Sequence, residues 1–281
     1  MLKGIKGILN FYSDSLRKKL QSAKQSKQVP PVKDDVNKAI DTDIKNNRSF
    51  IKQVLGDSPD IIFRDFDIGK LGMPAMVLYI DGLVDTVSVA ENVIKSLTLE
   101  AQAANFIDLR HLTVEILKEC SITTSDIREV NNFQHLLKYL FKGSTVIFVQ
   151  GSDKALVVSA PNSNLNRDVA EPITEAVIRG PREGFVEALR INTSLIRRKL
   201  KSPKLRFEEL TIGTLSETEV SIAYLDGIAD KGLIKEVKDR LQRIKAESIL
   251  ESGYLEEFIT DAPFSPFPTV QTTERPDAAA A

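Results

Sequence analysis

The segment Tyr79-Ile80-Asp81-Gly82-Leu83-Val84-Asp85 returns 145 residues later as Tyr224-Leu225-Asp226-Gly227-Ile228-Ala229-Asp230. A chain that writes one unit twice is expected to fold that unit twice, because the same pattern of apolar and turn residues is repeated. In each copy an apolar strand ends in Asp-Gly, a second aspartate follows, and a helical pattern begins. Val89, Val93 and Leu97 follow the first copy, and Leu233, Val237 and Leu241 follow the second at the same spacing. Upstream, Phe63 to Gly69 aligns with Phe207 to Gly213. Helix-like stretches precede both, around Phe50, Ile51, Val54 and Leu55 and around Leu195, Ile196 and Leu200. The offset drifts by one residue between these landmarks, so small loop changes separate the copies. Two copies make a pseudo-symmetric pair and not a solenoid, which stacks three or more repeats.

The 281 residues suit two domains of ordinary size, and 42% hydrophobic residues suffice for two cores. A net charge of −1 gives the chain as a whole no electrostatic pull toward nucleic acid. Tyrosine is sparse and tryptophan absent, which argues against stacking on carbohydrate. The single cysteine, Cys120, can neither close an internal disulfide nor hold a metal alone. No run of 18 apolar residues spans a membrane, and Leu2 to Leu9 is broken by Lys3, Gly4, Lys6 and Gly7, unlike a signal peptide. Residues 1–28 carry Lys3, Lys6, Arg17, Lys18, Lys19, Lys24 and Lys27 against the lone acid Asp14. Such an arm is either solvated or drawn to an anionic membrane, where each basic residue contributes about 1 kcal/mol.

The expected organisation is a basic arm and linker (1–33), an N-terminal α/β subdomain (34–125), a second α/β subdomain (126–262) and an extended Pro-rich segment (263–281). The fold class is α/β: two subdomains with small mixed sheets flanked by helices, related by the internal repeat. One or two helices are predicted from Asp34 to Leu55, and strands over Asp60–Asp67 and Met76–Ile80. The second strand is a continuous apolar run, as for a strand covered on both faces. Asp85 or Ser88 caps the next helix, and Ser88 with Glu91 has capping-box spacing. Helix or loop continues through Phe106, followed by an apolar element at Leu109–Leu117. Asn131 or Asn132 caps a helix bearing Phe133, Leu136, Leu137 and Leu140, which Gly143 ends. Thr145–Val149 and Ala155–Ser159 flank the turn Gly151-Ser152-Asp153-Lys154 as a hairpin. A short element is expected over Val169–Gly180, a long helix from Glu183 onward, and a short helix or turn at Ile249–Ile259. Closely spaced prolines hold Phe264 to Pro268 extended.

Candidate ligand residues are Asp81, Asp226, Arg179, Arg182 and Glu183. The two aspartates stand where a strand gives way to a helix, a frequent ligand position in α/β sheets. Asp-Gly is equally ordinary turn chemistry, and Asp85 or Asp230 can serve as an N-cap. Arg179 and Arg182 beside a helix start could hold a carboxylate or phosphate. Alternatively Gly180-Pro181 makes a turn, Glu183 complements the helix dipole, and the arginines pair with Glu171 or Glu175. Arg197, Arg198, Lys199, Lys201 and Lys204 read as a solvated basic face at a helix end, or as a contact with lipid or a partner. His111 and His135 lack metal-ligand spacing. No phosphate-binding loop, nucleophile elbow or dinucleotide fingerprint appears. The chain is not expected to be an enzyme, and no cofactor or metal is implied.

At Glu171-Pro172-Ile173-Thr174-Glu175 and at Arg179-Gly180-Pro181-Arg182-Glu183-Gly184-Phe185 the chain resembles the A subunit of GerA-type germinant receptors of bacterial spores. Leu195-Ile196-Arg197-Arg198, Tyr79-Ile80-Asp81-Gly82, Glu251 to Phe258, Pro263 to Gln271 and Thr273 to Asp277 extend the resemblance, which runs from about residue 34 onward. It implies a nutrient-sensing complex in the spore inner membrane with B and C subunits as partners, a possible homo-oligomer through A subunits, and no nucleic acid. In that family the A subunit continues into transmembrane helices, so this chain is expected to be its soluble N-terminal region, facing the spore core and joined to the membrane through a C-terminal part not included here. The resemblance carries over no ligand or catalytic residues. The expected role is a non-enzymatic module that takes part in nutrient sensing and signal transmission. The rival is a direct receptor for an amino acid or sugar, held between the subdomains near Arg182 and the two Asp-Gly turns. The segment with Phe264 and Phe267 is expected to lie across a groove.

Overall fold

A computed structural model describes residues 36–69, 72–99, 127–159, 175, 179–261 and 269–281. The basic arm, the stretches read at 100–117, His111, Cys120, most of 169–180 and the Phe264–Pro268 segment lie outside the described residues.

Five strands form one sheet: β1 (Ile61–Ile68), β2 (Met73–Ile80), β3 (Ile127–Val130), β4 (Ser144–Val149) and β5 (Ala155–Ser159), in the order β1-β2-β4-β5-β3. Two more, β6 (Leu205–Ile212) and β7 (Thr218–Leu225), form a separate hairpin. The α/β class with two sheets is as read from the sequence, but among the described residues every ladder is antiparallel, where mixed sheets were expected. Short loops join β1 to β2, β4 to β5 and β6 to β7, and a parallel neighbour needs a crossover of a dozen or more residues. The large sheet also draws strands from both sides of the expected boundary at 125–126, so the division between sheets falls after residue 159. The reason is burial. All six residues of β4 are buried, because β2 and β5 take its two edges and helices cover both faces of the sheet.

Alternation along β2 sends Met76, Leu78 and Ile80 to one face and Ala75, Val77 and Tyr79 to the other. Helix α1 (Ile44–Leu55) and a helix over Phe133–Leu140 cover the first face with Ile51, Leu55, Phe133, Leu136 and Leu140. We number that second helix α3, after the helix α2 spanning residues 86–99, which covers the other face with Val89, Val93 and Leu97. Helix α1 starts only at Ile44, because Asp43 accepts from the Lys45 amide as N-cap. Asn132 caps α3 through the His135 amide at 2.9 Å. In α2 it is Asp85 that caps, accepting from Val87 and Ser88. Ser88 lies inside the helix, where its Oγ accepts from Asn92 instead of capping. The middle of α2, Val89–Lys95, is π-helical.

The second lobe holds α4 (Leu189–Lys199), the β6–β7 hairpin, α5 (Lys231–Gln242), α6 (Ser252–Ile259) and α7 (Pro276–Ala279). Its core is smaller: Ile212, Leu241 and Ile249 are buried, with Val220, Ile222, Val237 and Leu255 packed around them. Helix α4 begins six residues after Glu183, not at it. The Asn192 side-chain amide accepts from the Val186 N–H at 2.8 Å and donates to its carbonyl at 2.6 Å, which occupies the groups a helix would need there.

The repeat holds in detail. Both hairpins pair eight residues with eight. The Asp81 amide donates to the Asp60 carbonyl at 2.8 Å, and the Asp226 amide to the Lys204 carbonyl at 2.9 Å. In each copy the fourth turn residue donates back to the first, Leu83 to Ile80 and Ile228 to Leu225, both at 3.1 Å. Gly82 and Gly227 take φ of 84° and 75°, a region that favours glycine at the third position of such a turn.

Candidate functional site at the seam between the repeats

Helix α4 of the second copy lies against the hairpin end of the first. Its contact stripe is Arg190, Ser194 and Arg197, three and four residues apart and therefore on one side of the helix. At its centre Arg197, 1% exposed, donates from Nε to Asp60 Oδ2 at 3.0 Å and from Nη2 to Asp60 Oδ1 at 2.9 Å. Its Nη1 donates to the Leu205 carbonyl at 3.0 Å, and the guanidinium sits 4.9 Å from the centre of the Phe207 ring. One side chain thus ties the start of β1 to the start of β6. Ser58 Oγ accepts from the Phe207 amide at 3.1 Å across the same seam. Burial pushes the Asp60 carboxyl above its ordinary value against the pull of Arg197, and burial likewise lowers Arg197. A guanidinium keeps its proton in proteins, and both Asp60 carboxyl oxygens accept from it.

Above this pair Arg190 bridges the copies again, with Nε 3.2 Å from Asp81 and Nη2 3.1 Å from Glu209. Its Nη1 is buried without a partner. Gly82 is needed here for space as well as for φ, since a Cβ on it would stand 2.8 Å from Ser194 Cβ. On the far side Arg206 donates from Nη2 to the Val54 carbonyl at 3.0 Å and to Asp226 at 3.4 Å.

The five residues singled out in the sequence meet different fates. Asp81 and Asp226 both lie on the seam, engaged by different arginines, Arg190 and Arg206. Glu183 precedes α4 and is held by Lys199 at 2.5 Å. Arg179 and Arg182 are exposed. Glu175, one of the two partners offered for them, accepts from Thr273 Oγ1 at 2.7 Å and from the Glu274 amide at 2.9 Å, and the other, Glu171, lies outside the described residues. The expectation that Arg197 belongs to a solvated basic face is corrected: it is buried against Asp60. The sequence signal was present in the stripe Arg190, Ser194 and Arg197, but the adjacent Arg198 and Lys199 disguised it as a charge run. Asp60 was not singled out at all.

A separate cleft of about 560 Å³ is lined by Ile44, Arg48, Asp65, Asp67, Pro74 and Gln150 among others, and by none of those five residues. Its Arg48 is already paired with Asp65 and lies 5.5 Å from the Phe63 ring centre. Among the described residues no group of three His, Cys, Asp or Glu side chains is placed to hold a metal. None of their helices is long and apolar enough to cross a membrane. The charged groups of the seam are engaged mainly with one another and with carbonyls, an arrangement suited to a joint between lobes.

The profile of the Bacillus/Clostridium GerA spore germination protein matches residues 49–281. The chain belongs to the GerA family. Among the family's curated members it is 36% identical over 242 residues to spore germination protein KA of Bacillus subtilis, covering 86% of this chain and 43% of that protein. It is 34% identical over 258 residues to the membrane protein YfkQ of the same organism, covering 90% of this chain and 48% of that protein. The chain therefore spans about half the length of these GerA relatives. It is also similar to the crystal structure of the N-terminal domain of the A subunit of the Bacillus megaterium spore germinant receptor GerK3. That match has a TM-score of 0.66 and 32% identity, covering 87% of this chain and 88% of that one. The GerA fold seen there is the fold described above.

Proposed function

We propose that this chain is the N-terminal, non-enzymatic region of a spore germinant receptor A subunit, and that it passes the nutrient signal on through the relative placement of its two lobes. The supporting observation is the seam, where one buried arginine holds the starts of β1 and β6 together. A joint built on a bidentate ion pair favours one arrangement of the lobes over others. B and C subunits of the receptor are the partners in this reading, and the spore inner membrane is its location, with this region toward the spore core. In spores carrying Arg197→Met in the intact receptor, nutrient-triggered germination is expected to slow by more than the accompanying fall in receptor level accounts for. Germination at the parental rate from spores with parental receptor levels would remove the signalling role of the seam.

One observation favours a second reading, direct nutrient binding between the lobes. Arg190 carries a buried donor without a partner beside the Asp81 carboxylate, the two charges that a zwitterionic amino acid would need. Calorimetry of the purified chain against a panel of amino acids and sugars separates the readings. No saturable heat is expected for a transmitting module. Saturable binding abolished by Arg190→Gln would establish the receptor instead.

A further inference from the structure

Of the basic run at the end of α4, Arg197 is buried at the seam and Lys199 is held by Glu183. Lys201 has a different setting. With Lys138 and Lys142 it stands at the mouth of another cavity, of about 430 Å³. The floor is apolar: Leu137 and Phe141, one helical turn apart at the end of α3, lie between Val36 and Pro203. Leu137 is 6% exposed and Phe141 5%. None of the described residues lining this cavity is acidic, whereas the larger cleft matches Arg48 with Asp65. All three lysines are exposed, and among the described residues none of them is in an ion pair. Lys142 has only the Tyr139 ring, 6.0 Å away, beside it.

Both walls are fixed before anything enters. On one side the Phe133 amide donates to the Lys38 carbonyl and the Ile40 amide to the Asn131 carbonyl, each at 3.0 Å, so the chain after Val36 is held beside α3. On the other, the Leu205 amide donates to the Ser202 carbonyl and the Lys204 amide to Ser202 Oγ, both at 3.2 Å. The Pro203 carbonyl accepts from Arg206. A site built in advance loses less freedom on binding. Small-molecule sites are mostly apolar with a few placed polar groups, and this cavity falls within their usual range of roughly 300–1,000 Å³. The carboxyl ends of α3 and α4 each favour a lysine. That explains neither the apolar floor between them nor the lack of a balancing acid.

We propose that this cavity binds an anionic amphiphile, a fatty carboxylate, with its chain on Leu137 and Phe141 and its head among Lys138, Lys142 and Lys201. The carboxylate supplies the charge that the lining lacks, and the chain covers the floor. A cationic head would be repelled by the three ammonium groups, and a neutral one would leave them unmatched. An anionic bilayer lipid offers the same chemistry, but the small volume favours one chain, and hence the free carboxylate. The occupant touches α3 of the first lobe and the turn before β6 of the second, so it spans both copies.

This inference comes from the cavity and is independent of the signalling role, and its test involves no nutrient. Calorimetry of the purified chain with octanoate, decanoate and dodecanoate, each below its micelle concentration, is expected to show saturable binding. Affinity rises by up to about fourfold with each added methylene. Decyltrimethylammonium gives no saturable heat. Lys138→Glu combined with Lys201→Glu, at exposed positions, weakens decanoate by at least about tenfold with unchanged circular dichroism. Lys235→Glu, exposed on α5, leaves the affinity as it was. Decanoate slows hydrogen exchange over residues 134–142 and 202–206. Silence with all three carboxylates, equal binding of the cationic amphiphile, affinity retained by the double variant, or protection elsewhere in the chain would overturn the proposal. So would binding to phosphatidylglycerol vesicles without binding of decanoate, which would make this face a membrane contact instead.

Discussion

Arg197 and Tyr224 show how differently a charged neighbour acts in a dry site and a half-wet one. For Arg197, solvent is excluded from both ions, and removing one partner leaves the other charge stranded. Arg197→Met is therefore expected to lower the unfolding free energy by about 3–5 kcal/mol in urea denaturation. Adding Asp60→Leu to that variant recovers at least half of the loss, because apolar pairs often replace buried ion pairs at little cost. A double variant no more stable than the single one would mean that the Leu205 carbonyl and the Phe207 ring, not the carboxylate, are what Arg197 serves. Tyr224 lies at the surface of β7, where its hydroxyl donates to Glu208 at 2.5 Å and Lys238 holds the same carboxylate. Burial and the Glu208 hydrogen bond push its phenol from 10.0 up to about 12. Because the folded value lies above the unfolded one, the stability this group contributes is complete below pH 10 and is lost as pH rises through 12. Ultraviolet titration is expected to show late ionisation of Tyr224 and of Tyr79, which burial also pushes up, and Glu208→Gln returns Tyr224 alone toward pH 10. A titration unchanged by that substitution would refute the contact.

Among the elements, the caps decide where helices begin, and the two copies use the same one. Asp85→Ala and Asp230→Ala are each expected to cost about 1 kcal/mol, whereas Ser88→Ala costs less than about 0.5 kcal/mol. The opposite ranking in thermal unfolding would place the cap at Ser88. These elements were legible because their signals are local: β2 from its apolar run, α3 from Asn132 and its apolar face, the β4–β5 hairpin from its turn residues. The start of α4 was not, because Asn192 reaches back six residues to hold Val186, and nothing at Glu183 itself announces that bond. Sheet membership was hidden for a related reason. Pairing between β2 and β4 joins residues some seventy positions apart, and their sequences say that each is buried without saying by what. Of the candidate site, Asp81 and Asp226 were found because the repeat drew attention to them. Asp60 carries no such mark, and its importance comes entirely from the helix that packs on it 137 residues later.

Taken whole, the molecule has two lobes that share a buried ion pair, so they are expected to unfold together. Calorimetry of the unaltered chain should give one transition, and Arg197→Met should separate the smaller second lobe as an earlier one. Two resolved transitions in the unaltered chain would show that the seam does not couple them. The copies also differ in length at one place. Twelve residues lead from Asp85 to Leu97, but eleven from Asp230 to Leu241, although each aspartate caps its helix and each leucine is buried. The surplus residue falls between the cap and the first apolar position, four residues from Asp85 to Val89 against three from Asp230 to Leu233, and the wider π-helical turns of Val89–Lys95 follow directly after it. The looser coil thus goes with one extra residue beside the cap, and a chain shortened by Val87 is expected to wind evenly from aspartate to leucine.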